Sequence, residues 1–219
     1  MSQLYLPFFE EAKSNFFNEE SFLKLKENSV SRKLLENFFT KKTDQSLVLI
    51  GEAASGKTHL LHIFAQKFSA EFLSKDQILS INLSNFFTPN CFYIFENIDR
   101  INDQNLLLHL INSAAEAQSF LILSTQKLAK FQLKDLESRL KNIFTAQIEN
   151  PELESVKQLL AHHLAIKQIK LSRHIINFIT NQIKHDYQAI FDAAKLIEFY
   201  IQESGKNMTI PMAQKIFKN

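Results

Sequence analysis

Residues 51–58 read Gly51-Glu52-Ala53-Ala54-Ser55-Gly56-Lys57-Thr58 and constrain the fold more than any other stretch. They match the phosphate-binding pattern G-x-x-x-x-G-K-[ST] at every fixed position. Of the 3 glycines in the chain, two stand here. The apolar run Leu47-Val48-Leu49-Ile50 precedes the loop and reads as a buried parallel strand. Residues 59–68 follow with apolar positions at helical spacing. Gly51 and Gly56 let the backbone approach an anion closely. The loop N–H groups and the helix N-terminus then face that anion. In this pattern Lys57 reaches the outer phosphates and Thr58 holds Mg²⁺ through its hydroxyl. The bland alternative, a glycine turn between strand and helix, does not explain the Lys-Thr pair.

The rest of the chain alternates strand and helix patterns. Gln77–Leu83 reads as a second strand, Cys91–Phe95 as a third, Ser119–Gln126 as a fourth and Ile143–Ile148 as a fifth. Helices are expected over 31–39 and 104–117. Such alternation predicts a doubly wound parallel sheet, with ligands beyond the carboxyl ends of its strands. Only Ser84–Asn90 separates the second and third strands so drawn, whereas a parallel crossover normally takes about a dozen residues or more. Either the second strand is shorter or the connection is truncated.

After Ile148 the strands stop. Asn150-Pro151-Glu152 reads as a helix start, with a capping Asn and Pro at the first position. Helices are expected over 152–167, 172–184 and 187–203, with Gly205 as a stop and Pro211 opening a last short helix. The expected domains are an N-terminal arm (1–15), an α/β nucleotide-binding domain (16–149) and a helical lid (150–219).

The third strand ends in Glu96-Asn97-Ile98-Asp99, which resembles the Walker B element. There the first acid, Glu96, holds Mg²⁺ together with Thr58. The second position is Asn97, and an amide cannot take a proton from water, which weakens hydrolysis. The alternative for Glu96 is an ordinary strand-end acid. At the N-terminus, Gln3-Leu4-Tyr5-Leu6-Pro7-Phe8 is an apolar arm that Pro7 keeps out of helix. It is similar to the peptide by which bacterial proteins dock on the replication sliding clamp, with Gln3, Leu4, Leu6, Pro7 and Phe8 as the contacts. A strap folded back on its own domain is the alternative.

Net charge is +2, and Lys and Arg are spread along the chain, which disfavours a dedicated nucleic-acid face. The single Cys91 forms no internal disulfide, as expected of a cytoplasmic protein. No apolar run approaches the roughly 18 residues of a membrane span, and no signal-peptide layout opens the chain. His59 with His62, and His162 with His163, lack further ligands at zinc spacing and read as packing or surface residues.

Taken together, these features resemble the DnaA family of bacterial replication initiators within the AAA+ ATPases. The match rests on Gly-Lys-Thr-His-Leu-Leu-His at 56–62, on Asp-Leu-Glu-Ser-Arg-Leu at 135–140, and on an α/β core followed by helices. The resemblance implies a fold of class α/β: an AAA+ P-loop core with a five-stranded parallel sheet, followed by a small all-α lid. It implies ADP or ATP with Mg²⁺ as cofactor. Nucleotide contacts are expected from Gly51, Ser55, Gly56, Lys57, Thr58, His59, Glu96, Gln126 at the sensor position and His185 in the lid. Arg139 stands at the arginine-finger position, although without the family it reads as a surface arginine.

His185 stands where the family places a lid Arg, so turnover is expected to be weak. The chain leaves no room after the lid for the initiator's DNA-binding domain, and the segment 84–90 leaves little room for its DNA-remodelling insert. The expectation is therefore a regulatory branch of the family. Such a protein docks on the sliding clamp, acts on the initiator DnaA, pairs as a homodimer where geometry allows, and binds neither specific DNA sequences nor membrane. An autonomous ATPase and a non-hydrolysing adaptor are the rivals.

Overall fold

The computed structural model describes residues 17–128 and 131–217. The segment Gln3–Phe8 lies outside them. Two compact units divide the chain: one runs through Gly51 and resumes over Gly56–Ile148, and the other comprises Glu149 onward together with Glu52–Ser55.

In the first unit the elements in order are α1 (Ser29–Lys41), β1 (Ser46–Ile50), α2 (Lys57–Phe68), β2 (Glu71–Leu73), α3 (Lys75–Ser80), β3 (Phe92–Phe95), α4 (Gln104–Glu116), β4 (Phe120–Thr125), α5 (Lys134–Asn142) and β5 (Phe144–Gln147). The five strands form one sheet in the order β2-β3-β4-β1-β5. Every pairing is parallel. This is why β4 is apolar from Phe120 to Leu123 and buried at all of its positions: a parallel strand flanked by helices meets core on both faces. Leu47, Val48 and Leu49 of β1 are equally buried. Each such side chain contributes about 1.5–3 kcal/mol on leaving water.

Phenylalanine fills the space under α1. Phe39 stacks on Phe64 at 5.5 Å and on Phe68 at 4.7 Å, and it packs against Phe92 at 4.7 Å. With no Trp among its residues, the chain builds its aromatic core from single rings, which have no N–H to satisfy.

The second strand is not where its apolar alternation suggests. Residues Gln77–Leu83 carry α3 and the 3-10 turn Leu83–Asn85, and the strand is Glu71–Leu73. Ser74 decides the matter locally. Its Oγ accepts from the Gln77 N–H at 3.1 Å, while Gln77 Oε1 accepts from the Ser74 N–H at 2.7 Å. This reciprocal capping box starts a helix, and it outweighs the strand-like spacing of Leu79, Ile81 and Leu83. The crossover from β2 to β3 thus runs over residues 74–91 and contains its own helix. Of the two alternatives at Ser84–Asn90, the strand is the one that changes: it is shorter and earlier, the connection is not truncated, and residues 84–90 no longer weigh against a helical insert.

The second unit is all helical: α6 (Leu153–Ile166), α7 (Arg173–Thr180), α8 (Tyr187–Ser204) and α9 (Ile210–Phe217). Helix α6 packs on α7 and α8, and α9 packs on α7. Val156, Leu160, Leu164, Ile179, Ile190, Ala194, Ile197 and Ala213 are buried there. Asp186 caps α8, its carboxylate accepting from the Ala189 N–H at 2.7 Å, and Gly205 ends that helix at φ +62°.

Two boundaries differ from the sequence pattern. Helix α6 starts at Leu153 with Glu152 as N-cap, because Pro151 is buried and serves packing rather than the first helical turn. Helix α7 stops at Thr180, whose carbonyl meets the His185 ring at 3.1 Å. His163 sits partly buried against Phe191, and burial, with the nearby His162 and Lys167, holds its pKa down to about 4. Among the described residues no helix is long and apolar enough to cross a membrane, and no group of three or more potential metal ligands forms.

Candidate functional site

The site is laid out by strand register. Ile50 pairs with Thr125, and Phe95 pairs with Leu123. Continuing that register brings Gly51 out level with Gln126, and Glu96 level with Ser124. The phosphate-type loop, the strand-end acid and the tip of β4 therefore converge at the carboxyl edge of the sheet, where open α/β sheets bind ligands.

The loop is held by main-chain groups. The Gly51 N–H donates to the Thr125 carbonyl at 3.2 Å, and the Ser55 N–H to the Glu52 carbonyl at 3.2 Å. Gly56 sits at φ +86° just before α2, a conformation that costs a side-chain-bearing residue about 1–2 kcal/mol. Ala54 also adopts positive φ, at 60°. Lys57 is buried, and its Nζ donates to the Gly51 carbonyl at 2.7 Å, closing the loop on itself. Burial pulls the Lys57 pKa below its ordinary value, while Asp99 and then Glu96 oppose that fall. The Ser55 hydroxyl is buried and has no hydrogen-bond partner among the described residues.

The acid lies across from the loop. Thr58 Oγ1 donates to Glu96 Oε1 at 2.7 Å. Burial raises the Glu96 pKa, and the hydrogen bond from Thr58 and the charge of Lys57 restrain the rise. Asn97 follows in the left-handed conformation at φ 57°, its N–H donating to Ser124 Oγ at 3.3 Å. Asn tolerates this region better than most residues. Asp99 then turns back toward β4, where its Oδ1 accepts from Thr125 Oγ1 at 3.0 Å and from the Gln126 N–H at 3.3 Å.

These residues fit a nucleotide phosphate with Mg²⁺. A desolvated ammonium, an unpartnered buried hydroxyl and a glycine at positive φ make a cradle for an anion. A hydroxyl and a carboxylate in contact are hard oxygen donors suited to Mg²⁺. Lys57, the loop N–H groups and Ser55 would hold the phosphates, and Thr58 with Glu96 the metal. Such a site supplies charge neutralisation for phosphoryl chemistry.

The surroundings of four further expected residues are these. His59 Nε2 lies 3.0 Å from the Asn18 carbonyl and 3.3 Å from Ser21 Oγ, and its ring packs on Phe17 and Phe22. It thus anchors the segment before α1 onto the first turn of α2. Gln126 is placed by its backbone through Asp99. His185 closes the end of α7. Arg139 is exposed on α5, whose Leu136 and Leu140 are buried, and it makes no ion pair among the described residues. Sequence reasoning missed Ser124 and Asp99 as site residues. Their signal is the β3–β4 register, which no local pattern prints.

With this geometry in hand, comparison with known proteins is informative. Domain III of the Thermotoga maritima replication initiation protein DnaA superposes with a TM-score of 0.74 at 17% identity, covering 93% of this chain and 96% of that one. The fold is that of an AAA+ P-loop domain. DnaA bound to AMPPCP and single-stranded DNA superposes with a TM-score of 0.63 at 15% identity, covering 86% of this chain and 68% of that structure. In sequence, the chain is homologous at low identity to DnaA: 24% over 199 residues with the Helicobacter hepaticus protein. That match takes in 79% of this chain and 43% of the initiator, so the chain spans under half the length of such relatives. No family model matches the chain.

Proposed function

We propose that this AAA+ protein is an Hda-like negative regulator of replication initiation. It holds adenine nucleotide with Mg²⁺, docks on the sliding clamp through Gln3–Phe8, and promotes ATP hydrolysis by DnaA. In this reading 1–15 is the docking arm, 16–149 the nucleotide-binding domain and 150–219 the lid. Arg139 is the group that acts in trans, stabilising charge on the phosphoryl group transferred in the initiator's site.

The observation that carries the reading is the pairing of a complete phosphate loop with an incomplete acid site. The loop retains Lys57, closed on the Gly51 carbonyl, and Thr58 in contact with Glu96, whereas the position of the second acid is Asn97 in a left-handed turn. Such a site binds nucleotide and turns it over poorly. An exposed arginine on a helix anchored by its other face supports action on a partner's nucleotide. DnaA is the partner class because the homology points to it, and AAA+ domains of one family suit one another's faces. With the nucleotide bound in cis, Gln126 adds the contact from the tip of β4.

The test is ATP hydrolysis by the cognate initiator on loaded clamp, with and without this protein. Stimulation is expected, and it should vanish when residues 3–8 are deleted. Arg139→Ala should lose stimulation by roughly a thousandfold or more while keeping clamp binding. Stimulation that survives Arg139→Ala removes the finger assignment. Turnover by this protein alone, without stimulation, would instead mark an autonomous ATPase. An unchanged hydrolysis rate throughout would mark an adaptor.

A further inference from the structure

Asp99 has no assigned task in that reading, yet it is tied into the site by two hydrogen bonds. It stands on the 3-10 turn Ile98–Arg100. Its Oδ1 takes hydrogen bonds from the Thr125 hydroxyl at 3.0 Å and the Gln126 N–H at 3.3 Å. The Thr125 carbonyl accepts from the Gly51 N–H at 3.2 Å, and the Gly51 carbonyl accepts from Lys57 Nζ at 2.7 Å. One run of hydrogen-bonded groups thus leads from Asp99 through the β4 tip to the lysine of the phosphate loop. Burial lowers the Lys57 pKa, Asp99 and then Glu96 oppose that fall, and Arg100 adds to it.

We propose that Asp99 is a positioning and specificity-determining residue of the nucleotide site: it fixes the Thr125–Gln126 tip beside the loop and sets a second carboxylate against Lys57 that disfavours ATP relative to ADP. The inference rests on the nucleotide-binding reading. Lys57 is shared between two fixed carboxylates and any bound phosphate chain. ATP brings one more negative charge than ADP to that lysine, so each fixed carboxylate disfavours ATP more. Mg²⁺ offsets part of this, and Glu96 belongs to the metal. Asp99 does not contact Thr58 and keeps its charge for the tip of β4. It is exposed, so solvent and salt screen it and the effect is a matter of several-fold.

Asp99→Asn separates the two roles. Its side-chain oxygen still accepts from Thr125 and Gln126, so the tip stays in place, while the charge is gone. The full chain is titrated with fluorescent ADP and ATP at fixed Mg²⁺, at low and at moderate salt. We expect the ATP affinity to rise relative to ADP by roughly three- to tenfold in Asp99→Asn, with the gain shrinking as salt increases. Asp99→Ala should weaken both nucleotides, because the tip keeps the Lys127 carbonyl for the Thr125 hydroxyl but loses the carboxylate that holds Thr125 and the Gln126 N–H together. An ATP-to-ADP ratio equal to that of the wild type in Asp99→Asn would overturn the proposal while leaving nucleotide binding intact. Wild-type protein that binds neither nucleotide would overturn the nucleotide reading, and this inference with it.

Discussion

Two arms of the site reach the same edge of the sheet by different routes. The loop arm, Gly51–Thr58, is shaped by its own residues: Gly56 supplies the positive φ, and Lys57 closes the loop on the Gly51 carbonyl. The acid arm, Glu96–Asp99, is shaped by partners distant in sequence. Glu96 is met by Thr58, the Asn97 backbone by Ser124, and Asp99 by Thr125 and Gln126. A local arm tolerates no change in its motif. A non-local arm depends on register: its second carboxylate, Asp99, is tied to the tip of β4, and the second acid position itself is Asn97. If that contrast is right, substitutions in the loop arm abolish function outright, and those in the acid arm divide it.

The largest effect is expected at Lys57. Lys57→Ala should weaken nucleotide binding by roughly a hundredfold, about 3 kcal/mol, as measured by titration with fluorescent nucleotide. Stability should move the other way or not at all. The Lys57 ammonium is buried against the Gly51 carbonyl, and burial disfavours its charged form. Removing it relieves that desolvation, so the melting temperature without nucleotide should stay level or rise. A variant that loses binding only because it unfolds would break the contrast.

The same contrast explains what was legible in the sequence. The loop, α2 and the strands β1, β3, β4 and β5 follow from local pattern, because motif residues and neighbours in the chain decide them. The helix at Lys75–Ser80 was misread for a subtler local reason: alternate apolar residues at 79, 81 and 83 mimic a strand, and only the Ser74–Gln77 capping box tells otherwise. Asp99 and Ser124 stayed hidden for a different reason. Their roles exist only once β3 and β4 are in register, and register is a property of the sheet. Asn97 was visible, but its left-handed backbone was not.

An intermediate effect is expected at Glu96, where the two arms touch. Glu96→Gln preserves an acceptor for the Thr58 hydroxyl and removes the charge offered to the metal. Nucleotide should still bind, but the gain in affinity from adding Mg²⁺ should shrink by about tenfold, as read from titrations with Mg²⁺ and with chelator. An undiminished Mg²⁺ effect would place the metal elsewhere, and Asp99 would become the first alternative.

The smallest effect tests why an amide stands at the second acid position. Asn97 has φ 57°, and its N–H is tied to Ser124 Oγ at 3.3 Å. If the position is governed by backbone conformation, the side chain is secondary. Asn97→Gly should then leave the melting temperature unchanged or slightly higher, and Asn97→Ala should cost about 1 kcal/mol in denaturant unfolding, since alanine meets the left-handed penalty without the local hydrogen bonding open to asparagine. Nucleotide affinity should be equal in both variants and in the wild type. The opposite pattern, with stability untouched and affinity lost in both, would make the Asn97 amide a ligand contact. That would return the second position of the acid arm to chemistry and narrow the difference between the two arms.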